Sequence, residues 1–541
     1  MVDQTPRPHG RASHESDPHA LAPHEQPARE AASGAPAGAD RHDWFGGTAE
    51  QAPGGAASPA RPDAGGIGHA GRLSLRAVAF TIVGALATLT AILAPLPYGG
   101  IYDTWLAGLV AAASGWVVLL ALLAERGRGP ELPVVLLAAA FPATVATMMG
   151  LQSVLAERLA SPVWLEIPLE ADPFATSARG AGYVELGQAI LFALMLLCGH
   201  LAGRSGAGLR YLRALAYAGA LYALVAIGYE ILAPDRLLIT TKQAYLGFLT
   251  TPFVNRNTAA TFYGTFAIVL AVFAARARLG RSPRAAATAD IVALALVFVA
   301  LALTGSRAGI ALSLLGMVVA YLGTTRGYRR TIGVSRAPFV IILMVPVLLA
   351  LMVLSERFAD DSVAGGGRLG TYISSIAMIM ERPLQGWGIG TFADTFPAFR
   401  EGAIRGIWDR AHSTPLEWAV EGGIPYALVL IAILVAIGAR SLHVLAMARQ
   451  PYRGTMRRER GLAVRPLVAV LTLGLALSHS MLDFSLDITG YLAVCAFAIG
   501  LGTTSLPPGA YVPHEPDVDH GARPRGNRWQ ENDPNRPMGA L

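Results

Sequence analysis

Most of the chain is a series of long apolar runs separated by short polar segments. A helix needs about 20 apolar residues to cross roughly 30 Å of hydrocarbon, and twelve runs approach or reach that length. The pattern therefore predicts an all-α polytopic membrane protein of about 12 transmembrane helices. The predicted spans are 77–97, 104–124, 132–153, 184–203, 212–233, 258–275, 288–304, 306–322, 338–354, 423–442, 466–483 and 488–504.

The basic residues between these runs predict the orientation of the spans. With a cytoplasmic N-terminus, the five short inner connections hold 20 of the 43 basic residues, and the much longer outer loops hold only 12. Short cytoplasmic loops are enriched in Arg and Lys. We therefore expect twelve spans with both termini in the cytoplasm.

Composition changes the picture at the two ends of the chain. The protein has 541 residues, of which 53% are hydrophobic and 15% charged, against about 25% charged in soluble domains. This argues against a soluble enzyme. Segments 1–76 and 505–541 have no apolar periodicity, so we expect disordered cytoplasmic tails on either side of a membrane domain at 77–504. No signal peptide is expected, and the two cysteines lie in apolar runs, which favours neither a disulfide nor a metal site.

One predicted outer loop, 355–422, is far longer than the others. A long loop in a compact protein usually has a function. Within it, residues 371–380 have helical apolar spacing and predict a helix along the membrane surface. His412 is the only histidine in any outer loop, and a histidine there can accept a proton at neutral pH. A surface histidine without a function is the alternative.

Several arginines at the outer ends of spans suggest binding of an anion. Arg256 is flanked by Asn255 and Asn257 at a helix start, a setting that suits phosphate. Arg307 lies between two spans beside small residues that allow close approach of a ligand. Arg368 follows three glycines; an ordinary loop arginine and a phosphate contact are equally good readings. Arginine binds phosphate bidentately, so we predict a reaction on a membrane-bound diphosphate.

A second set of ionisable residues lies near the eleventh span. His479 and Asp483 are four residues apart, which would place them on one face of a helix. Ionisable groups inside a span indicate function, but a pair that orients neighbouring helices explains them equally well. They are possible site residues.

Short motifs in the chain resemble those of the O-antigen ligase and O-antigen polymerase superfamily. Residues 252–257 read Pro-Phe-Val-Asn-Arg-Asn and residues 303–308 read Leu-Thr-Gly-Ser-Arg-Ala. Residues 381–392, from Glu-Arg-Pro-Leu to Gly-Thr-Phe, resemble a glycine-rich segment of that superfamily. Ala-His-Ser at 411–413, before Glu-Gly-Gly at 421–423, resembles another, although serine replaces the more usual asparagine. Leu477 to Phe484 resembles a late-span motif.

The resemblance covers roughly 77–504 and implies a multi-span glycosyltransferase of the GT-C-like architecture with a large periplasmic loop. Such enzymes are inverting, use no metal or other cofactor, and transfer or polymerise glycan from undecaprenyl-diphosphate-linked donors at the periplasmic face. They act in the synthesis of lipopolysaccharide O-antigen or exopolysaccharide. The acceptor is another glycan or lipid A-core. The resemblance matches His412 to the essential histidine, and Arg256 and Arg307 to the diphosphate-contacting arginines.

A transporter or flippase of lipid-linked sugars is the competing hypothesis. Twelve spans would fit it well. Transporters usually contain internal repeats and broken helices near the bilayer midplane, whereas this sequence has no evident repeat and its distinctive residues cluster at one face. The resemblance further implies a multi-pass protein of a bacterial inner membrane, with the glycan substrates and membrane lipid as its partners, and we expect no binding of nucleic acid.

Overall fold

A computed structural model describes residues 74–125, 129–155, 181–238, 240–280, 282–325, 367–400, 408–449 and 463–505. The predicted span 338–354 lies outside these residues, as do nearly all of the two predicted tails and the segments 355–366 and 401–407 of the long loop.

The described chain is almost entirely helical. The α-helices are α1 (Leu75–Leu93), α2 (Asp103–Leu123), α3 (Leu132–Val154), α4 (Ala181–Gly203), α5 (Gly208–Leu232), α6 (Arg256–Arg278), α7 (Arg284–Leu303), α8 (Arg307–Thr325), α9 (Gly367–Glu381), α10 (Phe392–Phe399), α11 (Thr414–Ala448), α12 (Val464–Ser480) and α13 (Thr489–Thr503). Two short antiparallel strands, β1 (Arg236–Leu237) and β2 (Thr240–Thr241), form a hairpin after α5. A 3₁₀ turn, Ser485–Asp487, precedes α13.

Nine of the described helices are long and apolar enough to cross a membrane, and α12 and α13 are shorter apolar helices. The chain is therefore a polytopic membrane protein. Every predicted span within the described residues corresponds to one helix. Helix α9 confirms the predicted helix at 371–380. Helix α11 begins at Thr414, inside the predicted loop, and bends at Gly423, whose φ of 82° places it beside the backbone of Leu384.

Four helices, α4, α6, α12 and α13, form the inside of the bundle. In the apolar windows of α6 and α4, 94% and 72% of the residues are buried, against 22–39% in the other long helices, and α13 is buried along its whole length. Helix α4 packs against α13 through glycine: a Cβ at Gly199 would lie 2.2 Å from the Phe497 carbonyl oxygen, and one at Gly500 would lie 2.1 Å from that of Leu196. Small residues allow such close packing of membrane helices.

The two ends of the bundle carry different polar clusters. At the end where α3 begins, the carboxylate of Glu131 accepts hydrogen bonds from Arg204 just after α4 (2.6 Å), from Arg440 of α11 and from both the backbone and side chain of Ser505. These contacts join four parts of the chain. The opposite end, where α6, α8, α11 and α13 begin, contains most of the residues singled out by the sequence.

Candidate active site

The start of α6 is built around two asparagines. Asn255 caps the helix, because its Oδ1 accepts a hydrogen bond from the Asn257 backbone N–H (2.8 Å). Its Nδ2 donates to Oδ1 of Asp483 (3.0 Å), and Asn257 Nδ2 donates to the other carboxylate oxygen. Asp483 Oδ1 also accepts from the Phe484 N–H (2.8 Å). The first turn of α6 therefore holds a buried carboxylate that is 226 residues away in sequence.

The turn between α7 and α8 is attached to the same cluster. Ser306 Oγ donates to Oδ1 of Asn257 (2.8 Å), and Arg307 is the first residue of α8. Gly305 has a φ of 60°, and a Cβ there would lie 2.5 Å from the Phe248 ring. Only glycine combines this left-handed backbone with so close an approach. The Leu-Thr-Gly-Ser-Arg-Ala motif thus fixes where Arg307 enters the site.

Arg256 lies against aromatic rings and near two further arginines. Its guanidinium carbon is 4.2 Å from the centroid of the Phe248 ring and 5.8 Å from that of Tyr245. Arg307, Arg368 and Asp483 act on it electrostatically. Within the described part of the chain, the buried Nε of Arg256 has no hydrogen-bond partner. The cluster is thus rich in positive charge and contains a buried donor suited to an anionic ligand.

The third arginine enters from the long loop. Arg368 lies in the first turn of α9, and its Nη2 is 3.9 Å from Oδ2 of Asp483. This distance is longer than a hydrogen bond. The structure thus places Arg368 beside the carboxylate to which Asn255 and Asn257 donate. This position favours a role for Arg368 in the site over that of an ordinary loop arginine.

His412 has an unusual backbone conformation, with a φ of 54°. A non-glycine residue in this region is worth attention because such strain tends to occur at functional sites. Its imidazole lies between Trp408 and Phe484, with ring centroids 5.1 Å away on each side. Tyr372 of α9 donates its hydroxyl to the His412 carbonyl (3.0 Å). The imidazole is therefore held by edge-on contacts with two aromatic rings.

Buried charges hold the backbone immediately before His412. Glu417 accepts one hydrogen bond from Arg410 Nη1 (2.8 Å) and one from the Ala411 N–H (2.8 Å). Arg410 also lies 3.3 Å from Glu185 of α4. After His412, Thr414 donates to Asp487 (2.8 Å). The strained residue is thus attached on both sides.

His412 and Asp483 form the centre of the site. His412 Nδ1 lies 3.9 Å from Asp483 Oδ1, and this buried nitrogen has no hydrogen-bond partner among the described residues. Burial lowers the pKa of His412 below its ordinary value, although the charge of Asp483 opposes this. Burial would raise the pKa of Asp483, but the charges of His412, Arg368 and His479 lower it overall. At neutral pH this arrangement is a neutral imidazole beside a carboxylate.

His479 and Asp483 do not share a helix face as the spacing suggested. Helix α12 ends at Ser480 and Asp483 lies in the turn that follows, so the predicted span end at 483 is three residues too long. The last backbone bonds at this end run from the Leu482 and Asp483 N–H groups to the His479 carbonyl (2.9 and 3.0 Å). The buried His479 ring instead contacts Ser485 Oγ (3.1 Å).

Sequence reasoning missed part of the site. It gave Asp483 only as a possible residue, and it did not select Phe248, Tyr245 or Glu185. The sequence interpretation assigned the Asn255 and Asn257 amides to a phosphate, whereas in the structure both side-chain amides donate to Asp483. Among the described residues, no group of three histidine, cysteine or acidic side chains is placed to hold a metal ion.

One segment of the chain is similar to a known protein family. Residues 292–432 match the family model described as O-Antigen ligase. The match runs from within α7 into α11 and so contains Arg307, Arg368 and His412, whereas Arg256 and Asp483 lie outside it. No curated protein matches the chain. The resemblance seen in the sequence motifs is confirmed over this segment.

Proposed function

Since this membrane protein carries an O-antigen ligase domain and is an enzyme of the glycosyltransferase type, we propose that it transfers a glycan from a polyprenyl diphosphate to an acceptor hydroxyl. The undecaprenyl carrier is the donor implied by the family. One observation carries the proposal: Arg307 and Arg368 lie close enough to Arg256 to act on it electrostatically, and Arg368 and His412 both lie beside the carboxylate of Asp483.

His412 acts as the general base in this proposal. With its Nδ1–H directed toward Asp483, Nε2 carries the lone pair that accepts the proton of the acceptor hydroxyl. Asp483 stabilises the imidazolium that results, as a carboxylate does beside other catalytic histidines. Such general-base assistance contributes about 10²–10⁴ in rate.

The arginines stabilise the departing diphosphate. The acceptor oxygen forms a bond to the anomeric carbon while the bond from that carbon to the diphosphate oxygen breaks, and the bonding electrons leave with the diphosphate. Arginine binds phosphate oxygens bidentately and keeps its charge at any working pH. Because the two oxygens lie on opposite faces of the sugar, the anomeric configuration inverts.

Transfer by the purified protein is the direct test. The assay supplies a synthetic polyprenyl-diphosphate oligosaccharide with a defined anomeric linkage and measures release of polyprenyl diphosphate and the configuration of the product by NMR. We expect inversion, and activity that survives a metal chelator. Retention would contradict single displacement, and failure to use any such donor would contradict the function.

The biological acceptor is tested in a deletion strain. We propose synthesis of O-antigen or exopolysaccharide, with a glycan or lipid A-core as the acceptor. Accumulation of polymer on the lipid carrier would identify a ligase, and surface molecules capped by single repeat units would identify a polymerase. Unchanged surface polysaccharide would contradict both roles.

We further propose that the site faces the periplasm of an inner membrane, because the described arginines of the predicted inner connections, such as Arg204, Arg213 and Arg440, lie at the other end of the bundle. An alkaline phosphatase fused after Thr395 should be active, and one fused after Thr455 inactive. The reverse result would invert the orientation.

A further inference from the structure

The only lysine of the chain, Lys242, is buried in the loop between α5 and α6. Its Nζ donates to Glu230 Oε2 at the end of α5 (3.3 Å) and to the backbone carbonyl of Phe248. A buried ion pair is costly to desolvate and gives little net stability. We therefore asked what these two bonds hold in place.

The bond to Phe248 closes a tight turn. The Lys242 N–H is fixed to the Asp235 carbonyl at the base of the β1–β2 hairpin (2.7 Å). Between Lys242 and Phe248 the backbone passes through left-handed conformations at Tyr245 (φ 56°) and Gly247 (φ 79°). A turn of this kind needs contacts at both ends to keep its shape, and Lys242 supplies one at each end.

The Phe248 ring is the part of this turn that reaches the site. It lies 4.2 Å from the Arg256 guanidinium on one side and against Gly305 on the other. An arginine stacked on an aromatic face loses rotational freedom, which lowers the cost of binding a ligand in a fixed geometry. The position of the Phe248 ring therefore determines how Arg256 presents its donors.

We propose that Lys242 is a positioning residue for the donor diphosphate: it holds the Phe248 carbonyl, the Phe248 ring holds Arg256, and Arg256 binds the phosphate. The proposal rests on the proposed function, in which Arg256 contacts the diphosphate. It differs from a direct contact of Lys242 with phosphate, because the Lys242 ammonium is already bonded to Glu230 and to a carbonyl.

The test measures donor KM and kcat for Lys242→Met, Phe248→Leu and the double variant with the same synthetic donor. Because Lys242 acts on the phosphate contact only indirectly, we expect a rise in donor KM of about 3–10-fold, with a smaller change in kcat. The double variant should be no worse than the poorer single variant, because both changes break one chain of contacts. Lys242→Arg should restore part of the affinity.

A matched control removes a buried ion pair at the other end of α5. Arg213 bonds to buried Asp290 (3.1 Å) and lies 17 residues, about 25 Å of helix, from Glu230. Arg213→Met should lower the melting temperature as much as Lys242→Met does, yet leave donor KM unchanged. An equal rise in KM in both variants would mean a general loss of stability and would overturn the proposal.

Two further outcomes separate this proposal from the proposed function. If Arg256→Ala raises donor KM but Lys242→Met does not, Lys242 has no positioning role and the function stands. If Arg256→Ala leaves donor KM unchanged, the diphosphate site itself is wrong, and the Lys242 proposal fails with it. Additive losses in Lys242→Met and Phe248→Leu would indicate a direct phosphate contact and would also overturn it.

Discussion

Glu131 and Asp483 are carboxylates at opposite ends of the bundle, and each has arginines near it. Glu131 bonds directly to Arg204 and Arg440 and to Ser505. Asp483 instead takes its hydrogen bonds from two amides and a backbone N–H, while Arg368 and His412 lie 3.9 Å away. The first carboxylate neutralises its arginines, whereas the second is held by neutral donors and keeps acceptor capacity.

This difference separates a structural cluster from a reactive one. A carboxylate bonded directly to arginines uses their donors within the protein. When neutral amides donate to the carboxylate, it can still orient a histidine and contribute negative charge to the site. It does not neutralise the positive charge of Arg256 and Arg307. Arginine near an acidic residue is thus no guide to function until the contacts of the carboxylate are known.

The largest expected effect comes from His412. His412→Ala should fold and bind donor but turn over at least ~100-fold more slowly, because the general base is lost. Turnover of saturating donor by detergent-purified protein measures this, with His412→Gln as the variant that keeps packing between Trp408 and Phe484. Normal turnover by both variants would show that His412 is not the general base. His479 and Asp483 would then be the next candidates for that role.

Arg307→Lys should have the next largest effect. Lysine keeps the charge but cannot bind two phosphate oxygens in one plane, so we expect a loss of about 1.5–3 kcal/mol in donor interaction, or roughly 10–150-fold in kcat/KM. Arg204→Lys at the Glu131 cluster is the matched control and should retain activity. If Arg307→Lys were fully active, the bidentate contact would be excluded.

Asp483→Asn should alter the pH dependence as well as the rate. Because burial lowers the pKa of His412, its imidazole stays neutral at pH values below the ordinary histidine pKa of about 6.5. In the unmodified protein, kcat/KM should therefore fall only when the pH drops under about 6.5. Asp483 raises the pKa of His412 against the effect of burial. Removing its charge should move this acidic limb to still lower pH. A shift to higher pH would contradict the placement of the carboxylate beside His412.

Glu131→Gln should have the smallest effect on catalysis and a clear effect on stability. Burial would raise the pKa of Glu131, but Ser505, His200 and Arg440 lower it overall. A lowered pKa contributes stability above the unfolded value of about 4.3, which is lost as pH falls through the folded pKa. The variant should melt earlier at pH 7 and lose less stability on acidification, with donor KM unchanged. A large rise in donor KM would contradict a purely structural role for the Glu131 cluster.

Much of the fold was predictable because it depends on local composition. Apolar runs of about 20 residues form helices in a membrane wherever they occur, and each span predicted within the described residues is a helix. The ends of helices were less predictable. Helix α12 stops at Ser480, three residues before its predicted end, and α11 begins nine residues before its predicted span because its first turns are buried by loop residues instead of lipid.

The sequence by itself determined the membrane class, the O-antigen ligase resemblance and the candidate residues His412, Arg256 and Arg307, since these follow from hydrophobic length and short motifs. Only the tertiary structure decided that Asp483 lies in the same site, where side-chain amides 226 and 228 residues away in sequence donate hydrogen bonds to it. Pairing over such distances depends on which helix ends meet, and helix packing sets that. A buried carboxylate needs hydrogen-bond donors, and these come from whichever segments the fold brings next to it. The sequence around Asp483 does not indicate which segments those are.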